Sequence, residues 1–106
     1  VRFGHGPRLT LYIAGSTPNS VRAQHNLAVA MAEVGGAPAT LSVEIIDVFV
    51  EPKRAMRDGV MVTPTLVRSE NGERVVIVGD LGQGDQLRAV LARAVRVAPP
   101  PAAAAG

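Results

Sequence analysis

The chain has 106 residues, 47% hydrophobic but only 3% aromatic, and eleven basic against nine acidic residues leave a net charge of +2. That length suits one domain with an aliphatic core, burying roughly 60–65% of its unfolded-state surface. The composition offers no aromatic platform for stacking bases, no dense basic field for nucleic acid, no apolar run near the roughly 20 residues that cross a bilayer, and no cysteine for disulfide exchange.

Residues 1–8 read as a Gly/Pro-containing lead-in. Leu9, Leu11 and Ile13 then alternate with Thr10 and Tyr12, the period of a strand over 9–14. Gly15-Ser16-Thr17-Pro18 breaks that strand. Thr17 suits an N-cap and Pro18 a first helical position, where its missing N–H costs nothing. Ala23, Leu27, Ala30, Met31 and Val34 form the apolar stripe of the helix, with Arg22, Asn26 and Glu33 facing away. Gly35-Gly36 and Pro38 end it.

The run 41–48, nearly continuous at Ile45, Ile46 and Val48, predicts a parallel strand covered on both faces, at the centre of a sheet. Pro52 opens a short helix through Arg57, which Gly59 stops. Residues 65–68 and 74–78 read as strands paired antiparallel through Asn71-Gly72, whose residues accept the positive φ values of a tight hairpin. Leu87, Val90, Leu91, Ala94 and Val95 give the inward face of a last helix beginning at 85, with Arg88, Arg93 and Arg96 outward. The Pro/Ala-rich end reads as an extended or disordered tail. The expectation is an α/β domain over 9–97 in the order βαβαββα, flanked by a lead-in (1–8) and a tail (98–106).

Few residues offer chemistry. The first helix opens on Thr17-Pro18-Asn19-Ser20, hydroxyls and an amide with no general base beside them, so the chain is not expected to be an enzyme. Capping is the plainer role for Asn19 and Ser20 than anion binding. Asp47 is expected to accept loop N–H groups rather than to act as a shifted acid. His5 and His25 lack ligand spacing, so neither a metal nor any other cofactor is expected. Gly79-Asp80-Leu81-Gly82-Gln83-Gly84 lacks the lysine and Ser/Thr of a phosphate loop. The compact basic cluster is Lys53, Arg54 and Arg57, open on the short helix, where it could meet an acidic partner or simply be solvated.

Val62-Thr63-Pro64-Thr65-Leu66 resembles the thioredoxin loop in which the proline is cis, so Thr63-Pro64 is expected to be cis. Leu11-Tyr12-Ile13-Ala14-Gly15, Thr17-Pro18-Asn19-Ser20-Val21-Arg22-Ala23, Ile46-Asp47-Val48, Pro52, Thr63-Pro64-Thr65-Leu66 and Gly79-Asp80-Leu81 together resemble, in order, the KaiB family of circadian clock proteins. The resemblance spans roughly residues 9–95.

That resemblance implies a thioredoxin-like fold with a mixed four-stranded sheet, the alternative being the family's tetramer-forming ground-state fold. It implies a cytoplasmic, non-enzymatic adaptor for a KaiC-type ATPase ring, with a KaiA-like protein or a histidine kinase as further partners. Neither nucleic acid nor membrane is expected as a partner, and self-association as monomer, dimer or tetramer stays open. Gly79 and Asp80 fall in the family's fold-switch region. The partner surface is expected at Lys53, Arg54, Arg57 and Met61. Two departures bear on the switch: Ser69-Glu70-Asn71-Gly72-Glu73 stands where clock members carry a proline run, and a Pro/Ala tail replaces their acidic one. Asn-Gly favours the hairpin of the thioredoxin-like state. A second reading takes the chain as a sensor or interaction domain of a larger signalling protein such as a histidine kinase.

Overall fold

Strand β1 (Arg8–Ile13) leads into helix α1 (Pro18–Val34), then β2 (Val43–Asp47), α2 (Pro52–Arg57), β3 (Thr65–Glu70), β4 (Glu73–Val78) and α3 (Gly84–Ala94). The computed structural model describes residues 8–34 and 43–94. Expectations for the lead-in before Arg8, the terminators Gly35, Gly36 and Pro38, Val95, Arg96 and the tail lie outside the described residues. The order is the expected one. The first strand begins one residue earlier than its apolar alternation, at Arg8, and the hairpin strands run to within one residue of their turn.

The strands form one sheet in the order β2-β1-β3-β4. β1 pairs parallel with β2, Leu11 opposite Ile45, and antiparallel with β3, Leu11 opposite Leu66. β3 pairs antiparallel with β4, Leu66 opposite Ile77. The expectation that β2 is central is therefore wrong: β1 and β3 occupy the centre and β2 an edge. Ile45 points to the helix side yet stays 47% exposed, because the helices pack over the middle of the sheet, and Glu44 is exposed as well. A short apolar run does not distinguish a central strand from an edge strand with one buried residue, here Ile46.

Alternation sorts the side chains to two faces. Leu9, Leu11 and Ile13 of β1, Leu66 of β3 and Ile77 of β4 pack with Ala23, Leu27 and Ala30 of α1 and Leu87, Val90 and Leu91 of α3. On the opposite face Tyr12, Ile46 and Val67 pack with Ala55 of α2. The stripe of the first helix, and the Leu87, Val90 and Leu91 part of the last one, thus meet the sheet as the sequence predicts, the side chains from residue 93 onward lying outside the description. Arg68 is buried on the α1/α3 side, its Nη1 3.6 Å from Glu70 Oε1, and its Nε has no partner in the protein.

The β3–β4 connection is the two-residue hairpin. Asn71 (φ 52°) and Gly72 (φ 82°) both take positive φ, which matches the right-handed twist of the flanking strands. The antiparallel hairpin and the final helix both belong to the thioredoxin-like arrangement, and no helix crosses residues 65–78 as it would in the rearranged alternative.

Candidate interaction surface

Three loops converge at one end of the sheet. The first connects β1 to α1, where Ser20 is buried and accepts hydrogen bonds from Ala14 N–H (3.0 Å) and the Thr17 hydroxyl (2.9 Å). Thr17 Cα marks the helix start as expected, since its carbonyl accepts Val21 N–H at 3.0 Å. Asn19 accepts from Arg22 Nη2. Among the described residues neither Ser20 nor Thr17 bonds a histidine or carboxylate, so no base stands ready to activate either hydroxyl.

The second loop follows β2. Asp47 Oδ1 accepts Phe49 N–H at 2.9 Å and Gly15 N–H at 3.3 Å, the loop-fastening role expected of it. The third carries the cis bond between Thr63 and Pro64. Thr65 donates its hydroxyl to the Val62 carbonyl at 2.7 Å, and the Pro64 carbonyl accepts Gly79 N–H at 2.9 Å. That last bond joins the cis-proline loop to the segment expected to be the switch region.

Gly79 (φ 110°) needs a conformation that favours glycine, and Leu81 (φ 62°) takes positive φ while burying its side chain at 4% exposure. Asp80 fixes the bend: its Oδ1 accepts Gly82 N–H at 2.9 Å, its Oδ2 accepts Arg22 Nε at 3.3 Å, and its carbonyl accepts Asn26 Nδ2 at 2.8 Å. Arg22 and Asn26, expected to face away from the fold, therefore hold the β4–α3 loop against α1.

The basic cluster divides. Lys53 and Arg57 are exposed, whereas Arg54, expected beside them on an open face, donates two hydrogen bonds to Glu44 (2.6 and 2.7 Å). The bidentate geometry holds the Glu44 carboxyl below its usual pKa and raises that of the guanidinium. Glu44 shares the strand face of Ile46, which packs against Ala55, and this brings it within reach of α2. The charge available to a partner is thus carried by Lys53 and Arg57.

Met61 lies in the α2–β3 loop and is 91% exposed. Around it the structure gathers apolar groups that the sequence reading missed: Phe49 (73%) and Val62 (52%) rim, with Met61, a cleft of about 260 Å³ floored by Ala55 and Val60. Val50 and Met56 add further exposed apolar surface on the β2–α2 loop and on α2. An apolar pair just after a strand and just before Pro52 was the available signal, because a turn of that kind ordinarily takes polar residues. Among the described residues no group of three or more His, Asp or Glu could hold a metal ion, and no helix is long and apolar enough to cross a membrane.

The family model described as the KaiB domain matches residues 10–93. The chain belongs to the KaiB family. The circadian clock oscillator protein KaiB of Acaryochloris marina is 38% identical over 80 residues, covering 74% of each chain. Among solved structures, the N-terminal domain of SasA from Synechococcus elongatus superposes with a TM-score of 0.64 at 26% identity, covering 84% of this chain and 82% of that one. A thioredoxin variant from Halobacterium salinarum superposes with a TM-score of 0.67 at 26% identity, over 90% of this chain and 80% of the other. The fold is thus the thioredoxin-like one, in a KaiB-family chain without a thiol.

Proposed function

We propose that this KaiB-family chain is a non-enzymatic, cytoplasmic adaptor that docks in its thioredoxin-like form on the ring of a KaiC-type ATPase, in a circadian or related timing or stress system. The observation that supports the reading is the apolar rim of Phe49, Met61 and Val62, with the exposed cations Lys53 and Arg57 on the helix α2 that precedes Met61. Exposed apolar side chains gathered next to charge are the ingredients of a docking surface: the apolar groups supply affinity once desolvated, and the charges steer encounter. Arg54 contributes by holding α2 to β2 through Glu44 rather than by reaching a partner. Gly79 and Asp80 keep the switch-region role proposed for them, and a KaiA-like protein remains a further partner in this reading.

The test is co-purification of the tagged chain with a KaiC-type ATPase from the source cell, in ATP and then in ADP. A hexameric ATPase is the expected prey, with different yields in the two nucleotides. Met61→Asp should lower that yield by about tenfold or more, while Lys53→Glu mainly slows association. Retention of full binding by Met61→Asp would place the docking surface elsewhere.

The likeness to the N-terminal domain of SasA favours a second reading, in which the chain serves as an interaction domain within a larger signalling protein such as a histidine kinase. A kinase domain in the same polypeptide would select it.

A further inference from the structure

Beside the C-terminal turn of α2, away from the apolar rim, Arg8, Thr10 and Ser69 of the sheet face Arg57 across a cleft of about 170 Å³, with Tyr12 and Asp58 also in its wall. The cleft is polar almost throughout, in contrast to the Met61 cleft. Three guanidinium groups border it. Arg54 is committed to Glu44, whose charge Arg8 also feels, but among the described residues neither Arg8 nor Arg57 forms a salt bridge.

Thr10, only 7% exposed, and Ser69 line the cleft beside these guanidinium groups and bring hydroxyls to it. Two guanidinium groups without a salt bridge among the described residues, in a cleft also lined by two hydroxyls, point to an anion that binds there. Guanidinium groups from the sheet and from α2, with the hydroxyls of Thr10 and Ser69 also in the lining, suit an acceptor presenting oxygens in several directions. A planar carboxylate fills one fork, whereas a tetrahedral dianion can use both. The space also admits several waters or one such ion with part of its hydration.

We infer that this cleft is a binding site for a compact tetrahedral oxyanion of the phosphate class, either inorganic phosphate or a small phosphate monoester. Asp58 opposes it. That carboxylate already accepts the Tyr12 hydroxyl at 2.5 Å, which engages Oδ2, but its charge lowers the affinity for any anion. The site is therefore tuned weak, for an ion present at millimolar concentration. The inference stands whether or not the chain meets an ATPase ring.

Titration of the intact chain with inorganic phosphate, followed by calorimetry and by phosphorus NMR, tests it. Saturable binding in the roughly millimolar range is expected. Arg57→Gln and Arg8→Gln should each weaken it by about tenfold, and the uncharged Thr10→Val by severalfold. Asp58→Asn should tighten it, and Arg88→Gln, on the opposite face of the sheet, should leave it unchanged. Acetate at matched ionic strength should not compete. A parallel titration with adenosine monophosphate separates the sources: equal or weaker binding assigns the inorganic ion, tighter binding with the same loss in Arg57→Gln assigns a monoester. Thermal unfolding of each variant confirms that it is folded. Absence of saturation by both anions, or binding that Thr10→Val and Arg57→Gln leave intact, overturns the assignment.

Discussion

The α1/α3 face and the α2 face of the sheet are made of alternate residues from the same strands, yet they are built to different ends. On the first, residues from three strands and two helices close a continuous aliphatic core in which Leu11, Leu66 and Leu91 have no exposure at all. On the second, one six-residue helix sets its Ala55 against three buried apolar residues of the sheet, and the remaining surface is a polar cleft, an apolar rim and the exposed Val76 and Val78 of β4. Burial of apolar area scales with the length of the covering helices. A short α2 therefore leaves the second face under-covered, and that uncovered remainder is where both candidate binding regions lie. Stability and recognition are separated to opposite sides of the same strands.

The strongest way to break this separation is in the first core. Leu66 sits on central strand β3 with no exposure, between β1 and β4 and beneath the helices. Leu66→Ala should cost about 2–5 kcal/mol, the sum of lost transfer energy and a cavity that the strand cannot collapse to fill. Urea unfolding reads this as a lower midpoint at unchanged slope. A loss under about 1 kcal/mol would mean that the two faces share the burden of stability.

A smaller and more specific effect is expected at Tyr12, the fully buried side chain that ties β1 to the end of α2. Its hydroxyl donates to Asp58 Oδ2 at 2.5 Å and lies 3.3 Å from the Arg54 carbonyl. Burial, with the adjacent Asp58 carboxylate, pushes its pKa up to about 12. The folded state thus favours the neutral phenol more than the unfolded chain does. The resulting stability is present below the unfolded pKa of about 10 and is lost as pH rises through 10 towards about 12. Tyr12→Phe should cost about 1 kcal/mol at neutral pH and flatten that alkaline decline. Because Tyr12 is the chain's single tyrosine, tyrosinate absorbance follows this group alone. A phenol titrating near 10 in the folded protein would contradict the argument.

The difference between the faces also explains what the sequence could reveal. The helical stripes, the alternation of β1 and the Asn71-Gly72 turn carry local signals, because a covered face imposes a period and a positive φ imposes residue type. The cis bond at Pro64 was legible through resemblance, and membership in the family through ordered motifs. Edge placement of β2 was not legible, since strand order depends on which partner β1 takes on each side and leaves no trace in a five-residue run. The Arg54–Glu44 pair depends on α2 lying over the Glu44 and Ile46 face of β2, a tertiary contact that no local pattern carries. The oxyanion cleft draws Arg8 from the start of β1, Arg57 from α2 and Ser69 from the end of β3, residues that only the fold brings together.

The smallest expected effect on stability sharpens the comparison most. Met61 is 91% exposed and Phe49 is 73% exposed, so neither gives up much buried area when replaced. Replacing both Met61 and Phe49 by Ser should change unfolding free energy by no more than about 0.5 kcal/mol per site. If the α2 face were part of the structural core, the double variant would approach the cost of Leu66→Ala instead. The same variant should lose partner binding by a far larger factor than it loses stability, because an apolar side chain that is solvated in the free chain contributes only when a partner desolvates it. Measuring both quantities on one protein sets recognition against folding directly. A drop in binding that merely tracks a drop in folded fraction would return the apolar rim to the core and remove the distinction between the two faces.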